Sequence, residues 1–542
     1  MLGDLQRKNG FCRRTAAGGK DRGTEKTMTQ AKTPALPLDV KTCYAAMQAH
    51  DTRFDGRFFC GVSSTGIYCR PICRVKLPKE ENCTFFISAA AAEAAGYRPC
   101  LRCRPELAPG LAPVDSVTRL AQSAALMMEE DCLATRKISE WAAMLGVSDR
   151  QLRHVFLAKF NVLPVQYLQT QRLLLAKSLL TDTKLKMTDV AMAAGFGSAR
   201  RFNDRFKKHY HLAPSKLRKK GRLMEENNER MTLFLGYRPP YAWDNLISFL
   251  ARRAVPGVES VVERTYRRTV AVRKGETIHY GWISVANRPK QNALSLTLAT
   301  TLLPVLSRVL ARIRRLFDMN CSPEKVQEKL VTMNRISPNM CVSGIRVPGC
   351  FDPFEMSVRA ILGQQVTVKA AGTLAMRLVK AFGEKRLTPF ETLSFTFPQP
   401  ERICALESPI ENHLGPLGIT GARARSILAL ATALTTDSIT LSYSANPRDE
   451  MERLIKLPGI GPWTVQYIAM RALGWPDAFP HTDYGVKKAL SDRSPQEIRT
   501  LSQKWSPWRS YATLLLWNHL KNKHDGLSES LTSGVNRSLC RT

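Results

Sequence analysis

Leu457-Pro-Gly-Ile-Gly-Pro-Trp-Thr-Val-Gln-Tyr-Ile-Ala-Met-Arg471, continuing through Pro480-His-Thr-Asp483-Tyr to Lys488, is the stretch on which the fold of this chain turns. Pro458, Gly459 and Gly461 break one helix and Trp463 begins the next. The amides of the turn therefore collect at a helix N-terminus, where an anion such as a phosphate is favoured. Asp483 then stands as an isolated carboxylate just ahead of an apolar and basic helix. On its own the stretch is accounted for by a tight helix-helix turn followed by an N-capping aspartate. What surrounds it decides between that reading and a reaction centre.

The chain has 542 residues, too many for one core, and its length suggests three or four domains. Eighty Lys and Arg against 46 Asp and Glu leave a formal charge of +34, a bias toward a polyanion, and nucleic acid is the natural partner. No apolar run approaches the roughly eighteen residues that a membrane span requires. The opening MLGDLQRKNGFCRRTAAGGK lacks the apolar core of a secretory signal. Fourteen cysteines scattered over such a length fit a reduced, cytosolic interior in which some serve as metal ligands, rather than a disulfide framework.

Residues 1–36 are polar and basic and read as a disordered leader within which Met28 is an alternative start. Between 37 and 113 lie Cys69-Arg-Pro-Ile-Cys73 and Cys100-Leu-Arg-Cys103, two close pairs that can place four thiolates tetrahedrally around Zn2+. Such a site contributes roughly 10 to 16 kcal/mol, so this segment should unfold without metal. Cys43, Cys60 and Cys83 are expected as buried thiols. Ser64-Thr-Gly-Ile-Tyr-Cys69-Arg-Pro-Ile-Cys73 and Gly96-Tyr-Arg-Pro-Cys100-Leu-Arg-Cys103 resemble the N-terminal domain of the bacterial Ada adaptive-response proteins. The resemblance implies that Cys69 is both zinc ligand and methyl acceptor toward a DNA methylphosphotriester, with Cys73, Cys100 and Cys103 completing the site. A zinc-bound thiol is deprotonated, and the thiolate is the species that attacks a methyl carbon. The resulting thioether does not give the methyl back, so each chain reacts once.

From 114 to 222 the pattern is helical and repeats. Ile138 to Ser148 followed by Asp149 to Phe156 reads as helix, glycine turn, helix, and Met187 to Ser198 followed by Ala199 to Phe206 is a second copy. Pro164 to Leu180 joins them as a helix of about 25 Å at roughly 1.5 Å per residue. The arrangement resembles the AraC-type regulator domain. Arg150, Arg153, Arg200, Arg201 and Asn203 fall on the exposed face of the second helix of each pair, and Arg and Asn are base-edge readers. Sequence-directed binding of promoter DNA is expected, with RNA polymerase as the partner of an activator.

Residues 223–230 are a polar linker. From 231 to 305 come short alternating runs, Thr269-Val-Ala-Val, Ile278 to Ile283 and Ala293 to Leu298, that predict an antiparallel sheet with a flanking helix over Trp243 to Arg253. From 306 to 522 the chain turns helical, and 523–542 is a flexible basic tail containing Cys540. Within the helical part, Val347-Pro-Gly-Cys-Phe-Asp-Pro-Phe leads into a helix that ends at Gly363-Gln-Gln365, and Trp505-Ser-Pro-Trp leads to Trp517. Together with the opening stretch these motifs resemble the AlkA type of 3-methyladenine DNA glycosylase, a helix-hairpin-helix enzyme.

This second resemblance implies that Gly459 and Gly461 approach the DNA backbone, beside a monovalent or divalent cation held by carbonyls near Ile455, Leu457 and Ile460. It implies a base pocket of Trp463, Tyr467 and Trp517, with Phe249 and Tyr484, and Asp483 as the catalytic carboxylate. A flipped, cationic alkylated base is attracted to aromatic faces, and a carboxylate stabilises the positive charge that develops on the sugar as the glycosidic bond breaks. Trp463 occupies the neighbourhood in which strand-cutting relatives carry a lysine, so base removal without strand cleavage is expected. Gln365 departs from the family, whose wedge at that position can be apolar.

The chain thus reads as multidomain, mainly α with α+β parts: a small four-cysteine zinc domain, a double helix-turn-helix domain, an α/β sheet domain and a helix-hairpin-helix glycosylase domain. The function expected is alkylation repair coupled to transcription activation in the bacterial cytoplasm, at the nucleoid. The rival reading is a zinc-containing AraC-type regulator whose C-terminal half binds DNA without catalysis. The Pro-Cys-His-Arg tetrapeptide of the second acceptor domain that Ada proteins usually carry does not occur, so the resemblance does not extend to repair of O-methylated guanine, which is not expected.

Overall fold

The computed structural model describes residues 38–110, 119–132, 136–218 and 229–521. The leader with Met28, most of the linker and the tail with Cys540 lie outside the described residues.

The N-terminal part opens with α1 (Val40–Gln48), capped by Asp39, whose carboxylate accepts from the Thr42 amide at 2.8 Å. Strands β1 (Phe59–Val62), β2 (Ile67–Cys69) and β3 (Cys83–Phe86), helix α2 (Ala89–Ala94) and β4 (Arg98–Pro99) follow. The sheet order is β3-β1-β2-β4, with β4 parallel to β2. That parallel pairing brings the strand ending at Cys69 alongside the one leading into Cys100, which closes the cysteine quartet. Cys43 and Cys60 are fully buried and Cys83 half-buried.

Seven helices come next: α3 (Arg119–Glu130), α4 (Ile138–Met144), α5 (Asp149–Phe160), α6 (Pro164–Asp182), α7 (Met187–Ala193), α8 (Ala199–Tyr210) and α9 (Pro214–Arg218). The repeat seen in the sequence is a repeat of physical devices. Gly146 and Gly195 take left-handed φ values of 68° and 79° between the helices of each pair, a region open to glycine at little cost. Ser148 and Ser198 cap α5 and α8. Leu152, Phe156 and Phe160 recur as Phe202, Phe206 and Tyr210, one buried stripe at helical spacing. The 19 residues of α6 span about 28 Å at roughly 1.5 Å per residue.

The third part begins with β5 (Arg230–Gly236) and α10 (Trp243–Ala251). Then β6 (Glu259–Val262), β7 (Thr265–Lys274), β8 (Thr277–Arg288) and β9 (Ala293–Ala299) complete an antiparallel sheet of order β5-β9-β8-β7-β6. Its register places Leu233 opposite Leu296 and Ile283 opposite Leu298, all buried. The helices α11 (Leu306–Leu316), α12 (Pro323–Leu330), α13 (Pro353–Leu362), α14 (Val368–Phe382), α15 (Pro400–Cys404), α16 (Glu411–Leu414), α17 (Gly421–Thr435), α18 (Pro447–Leu454), α19 (Pro462–Arg471), α20 (Tyr484–Ala489), α21 (Pro495–Gln503) and α22 (residues 509–521) make the last part. An extended stretch between α14 and α15 interrupts this run, where the sequence suggested helix throughout.

Buried polar contacts join the parts. Arg238, fully buried, donates to the carbonyls of Asp55, Asn320 and Gly110. Arg308 pairs with Asp131 and Arg315 with Glu130, so α11 is tied to the end of α3. At Gly236 a Cβ would meet the Leu107 carbonyl oxygen at 2.0 Å, a close approach only glycine permits.

Candidate functional site

Asp483 is the N-cap of α20, and its Oδ1 accepts from the Val486 amide at 3.1 Å. The same oxygen accepts from the Trp517 indole at 2.8 Å, and Oδ2 accepts from the Trp463 indole at 2.9 Å. The carboxylate is held by three neutral N–H donors and forms no salt bridge among the described residues, and one lone pair of Oδ2 remains for a reacting group. It borders a cavity of about 1420 Å3 that also touches Gly459, Gly461, Gln364, Gln365, Trp463, Tyr467 and Trp517.

The aromatic candidates separate by position. Trp463 stacks on Tyr467 with centroids 5.3 Å apart and planes 20° apart, and Tyr467 meets Trp517 at 6.3 Å. Phe249 is buried behind Trp517, stacked on it at 6.2 Å, and does not line the cavity. Tyr484 is 77% exposed and stands on the rim. The sequence read Trp463 and Trp517 as ring faces; their indole donors to Asp483 depend on how α19, α20 and α22 meet.

Three guanidiniums that the sequence reading missed form the floor. Arg471 donates to the Tyr467 hydroxyl at 2.9 Å and to the Gly349 carbonyl. Arg253 lies over the Phe249 ring at 3.8 Å, and burial brings its guanidinium down to about 10. Arg359 is balanced by Glu259 at 2.8 Å and Glu355 at 2.9 Å. Burial works to raise the Tyr467 phenol, but Arg471, Arg253 and Arg359 outweigh it and hold it below its ordinary value. In a chain with 80 basic residues, nothing local marks these three.

The hairpin follows α18. Gly459 has a φ of 71°, and a Cβ there would meet Ser426 Oγ at 2.2 Å, so glycine is required twice over. Gly461 is extended and a Cβ there would meet nothing, which leaves its face open to a ligand. Gln364, also missed, donates to the Gly459 carbonyl at 2.9 Å and to Thr464 Oγ1 at 3.0 Å, tying the α13–α14 loop to the hairpin. Gln365, with a φ of 54°, is exposed beside Val366 at the cavity edge.

In the N-terminal part the four Sγ atoms of Cys69, Cys73, Cys100 and Cys103 lie within 4.8 Å of one another. Cys73 and Cys100 are 4.0 Å apart, and tetrahedral sulfurs at about 2.3 Å from Zn2+ would be about 3.8 Å apart, so the quartet fits the ion. Two of the sulfurs are quenched by amides: Arg70 N donates to Cys103 and Arg102 N to Cys100, each at 3.4 Å. Among the described contacts no amide donates to Cys69 or Cys73. Arg70 is itself anchored on Asp55 and on the Cys103 carbonyl.

Arg150, Arg153, Arg200, Arg201 and Asn203 are all exposed on α5 and α8. They differ in one respect. Arg153 is bound by Asp149 through two hydrogen bonds of 2.8 and 3.0 Å, whereas Arg200 and Arg201 form no ion pair among the described residues.

Four family models match the chain: the metal binding domain of Ada over 42–106, a helix-turn-helix domain over 141–220, the AlkA N-terminal domain over 232–352 and the HhH-GPD superfamily of base excision DNA repair proteins over 358–504. The Escherichia coli DNA-3-methyladenine glycosylase 2 is 36% identical over 52% of this chain and 95% of its own length. The Escherichia coli bifunctional transcriptional activator/DNA repair enzyme Ada is 33% identical over 24% of this chain and 35% of its own. A probable bifunctional transcriptional activator/DNA repair enzyme AlkA of Mycobacterium tuberculosis is 36% identical over 89% of this chain and 97% of its own length. A match of that extent across all four domains means that the chain belongs to the family of AlkA-type bifunctional transcriptional activators and DNA repair enzymes.

Proposed function

We propose that the repair and regulatory function of this family is carried here by two separate reactions, one at Asp483 and one at Cys69, in a chain divided near the boundaries read from its sequence. The observation that carries the first is the Asp483 carboxylate, fixed by two indole donors at the edge of a cavity large enough for a flipped base. An alkylated base such as 3-methyladenine, extruded from the duplex, enters between Trp463, Tyr467 and Trp517, with Phe249 backing the pocket and Tyr484 at its mouth. As the N-glycosidic bond breaks, positive charge grows on the sugar, and the free lone pair of Asp483 Oδ2 faces it or orients the attacking water. A cationic base is already a good leaving group, so the site needs no strong acid. No lysine lines the cavity among the described residues, which supports a glycosylase that leaves the strand intact. Gly459 and Gly461 present amides to the DNA backbone, and Gln365 with Val366 fills the gap left by the base. A monovalent or divalent cation would be held by the Ile455, Leu457 and Ile460 carbonyls; that of Leu457 accepts from the Ile460 amide and keeps a second lone pair.

In the second reaction Cys69 sulfur attacks the methyl carbon of a methylphosphotriester. The S–C bond forms, the C–O bond breaks, and the phosphodiester leaves as an anion. A zinc ion held by Cys69, Cys73, Cys100 and Cys103 would keep the attacking thiol deprotonated at neutral pH. The absence of an amide donor on Cys69 among the described contacts preserves its nucleophilicity, since hydrogen bonding to a thiolate lowers it. Methylation removes one negative charge from a surface that meets DNA. At about 4 Å that charge is worth roughly 1 kcal/mol in water and about 4 at an effective dielectric of about 20. Promoter affinity through Arg150, Arg153, Arg200, Arg201 and Asn203 rises accordingly, and the bound chain recruits RNA polymerase in the bacterial cytoplasm, at the nucleoid. Incubation with methylated duplex, followed by assay of free base and of protein mass, tests both reactions. Released 3-methyladenine and one added methyl per chain are expected; absence of free base would leave the regulator without catalysis in its C-terminal half.

A further inference from the structure

Helix α2 reads Ala-Ala-Ala-Ala-Glu-Ala, and its one acid, Glu93, is turned inward to 7% exposure. A buried carboxylate is costly unless donors replace its water. Here three hydroxyls from three elements do so. Glu93 Oε1 accepts from Tyr68 of β2 at 3.0 Å and from Tyr210 of α8 at 3.2 Å, and Oε2 accepts from Thr170 of α6 at 2.8 Å. It forms no ion pair among the described residues: the cation that acts on it, Lys177 of α6, is taken by Glu106. Tyr68 precedes Cys69 in the chain, and Tyr210 ends the helix that carries Arg200, Arg201 and Asn203.

An alanine or leucine would complete this helix without the cost of burying an acid. What the carboxylate adds is a joint: three donors converge on it only if β2, α6 and α8 keep one mutual placement. We propose that Glu93 is a positioning residue that locks the second DNA-reading helix to the methyl-acceptor strand, so that Cys69 and α8 meet DNA as one body with one fixed spacing. The inference rests on the reading that this chain binds specific DNA through α5 and α8.

The test uses the full-length zinc-loaded chain and a duplex that the wild type selects from a random-sequence pool. Nuclease footprinting of wild type and of Arg201→Ala locates the segment read by α8. About five base pairs, half a helical turn, are then inserted between the segment read by α5 and α8 together, which α6 holds at one spacing, and the part of the site covered by the zinc domain. The wild type should lose affinity about tenfold or more, because a rigid body cannot follow the rotation. Glu93→Leu, and Tyr210→Phe which removes only the link to α8, should each lose less than about threefold on the same insertion, while Glu93→Gln, which keeps polar partners for the hydroxyls, should behave as wild type. Methyl transfer to Cys69 on a short methylphosphotriester duplex should be equal in all four. An insertion penalty in Tyr210→Phe and Glu93→Leu equal to that of the wild type would overturn the proposal. Should Glu93→Leu fail to retain zinc, Tyr210→Phe decides alone. A wild type that selects no duplex removes the DNA-reading assignment and this inference with it.

Discussion

Cys69 is 5% exposed among three other sulfurs, while Asp483 borders a cavity of about 1420 Å3 and accepts only from neutral donors. On the reading proposed above, the contrast follows from what each must do afterwards. A thiol that keeps its methyl needs no exit for product, and its reactivity comes from its zinc site. A carboxylate that serves successive bases needs an open cleft and donors that are not consumed; the indoles of Trp463 and Trp517 and the Val486 amide are such donors. On that reading one centre stores its product as a signal and the other clears it.

Metal removal should separate them most strongly. Stripping zinc with a chelator withdraws roughly 10 to 16 kcal/mol from residues 38–110, and hydrogen-exchange protection there should collapse. Release of 3-methyladenine should stay within about twofold, because distant sites are close to independent. Parallel loss of both activities would show that the centres are not separable.

Asp483→Asn cuts from the other side. The amide keeps the shape and one acceptor but loses the charge, and base release should fall about 100- to 1000-fold, the range found when one electrostatic contact to a transition state is deleted. DNA affinity and the methyl mass increment on Cys69 should not change. An Asn variant that released base at the parent rate would place the catalytic carboxylate elsewhere.

How much of this was legible in the sequence differs between the centres for a physical reason. Each cysteine pair, the glycine turn at Gly459 and the paired helices are local motifs legible from spacing. The quartet, by contrast, is closed only by the pairing of β2 with β4, and Asp483 was singled out by resemblance, its indole donors arriving only when α19, α20 and α22 meet. Antiparallel strands were visible as alternating runs. Arg253, Arg359 and Arg471 were not, since they become a pocket floor only when α10, α13 and α19 pack, and single arginines in so basic a chain carry no signal. Phe249 and Tyr484 carried a family position but no depth: one lies behind Trp517 and the other in solvent. Glu93, alone in a run of alanines, was an anomaly whose partners come from β2, α6 and α8.

Proton linkage sharpens the comparison further, because each half holds a buried carboxyl that desolvation pushes toward neutrality. Burial raises Glu93 from 4.5 to about 7 and Asp318, which accepts from Tyr511 and the Val347 amide, from 3.8 to about 6. A raised acid binds its proton more tightly folded than unfolded. Stability is therefore greatest below the unfolded values and falls as pH rises, up to about 7 for Glu93 and about 6 for Asp318. At about 1.4 kcal/mol per unit, Glu93 accounts for up to roughly 3 kcal/mol. Glu93→Gln should flatten the pH dependence of the thermal midpoint between about 6 and 7 while leaving the Asp318 step below it. An unchanged profile would mean that Glu93 is not the titrating group.

The smallest expected effect lies within the half that carries Cys69, where the two reading helices are alike in fold and unlike in charge. On α8 Arg200 and Arg201 have no ion pair among the described residues, but on α5 Arg153 must leave Asp149 before it can reach a base. An exposed pair is cheap to open, so on the proposed reading α5 is tuned down rather than silenced. Arg201→Ala should weaken binding to a selected duplex by about tenfold and lower the slope of log affinity against log salt by about one if the contact is to phosphate. Arg153→Ala should cost only about two- to threefold, and Asp149→Ala should tighten binding by about twofold, since it frees the guanidinium and removes a like charge from the DNA face. Equal losses for Arg201→Ala and Arg153→Ala, with Asp149→Ala neutral, would show that the ion pair is already open when DNA arrives and that both helices read with the same strength.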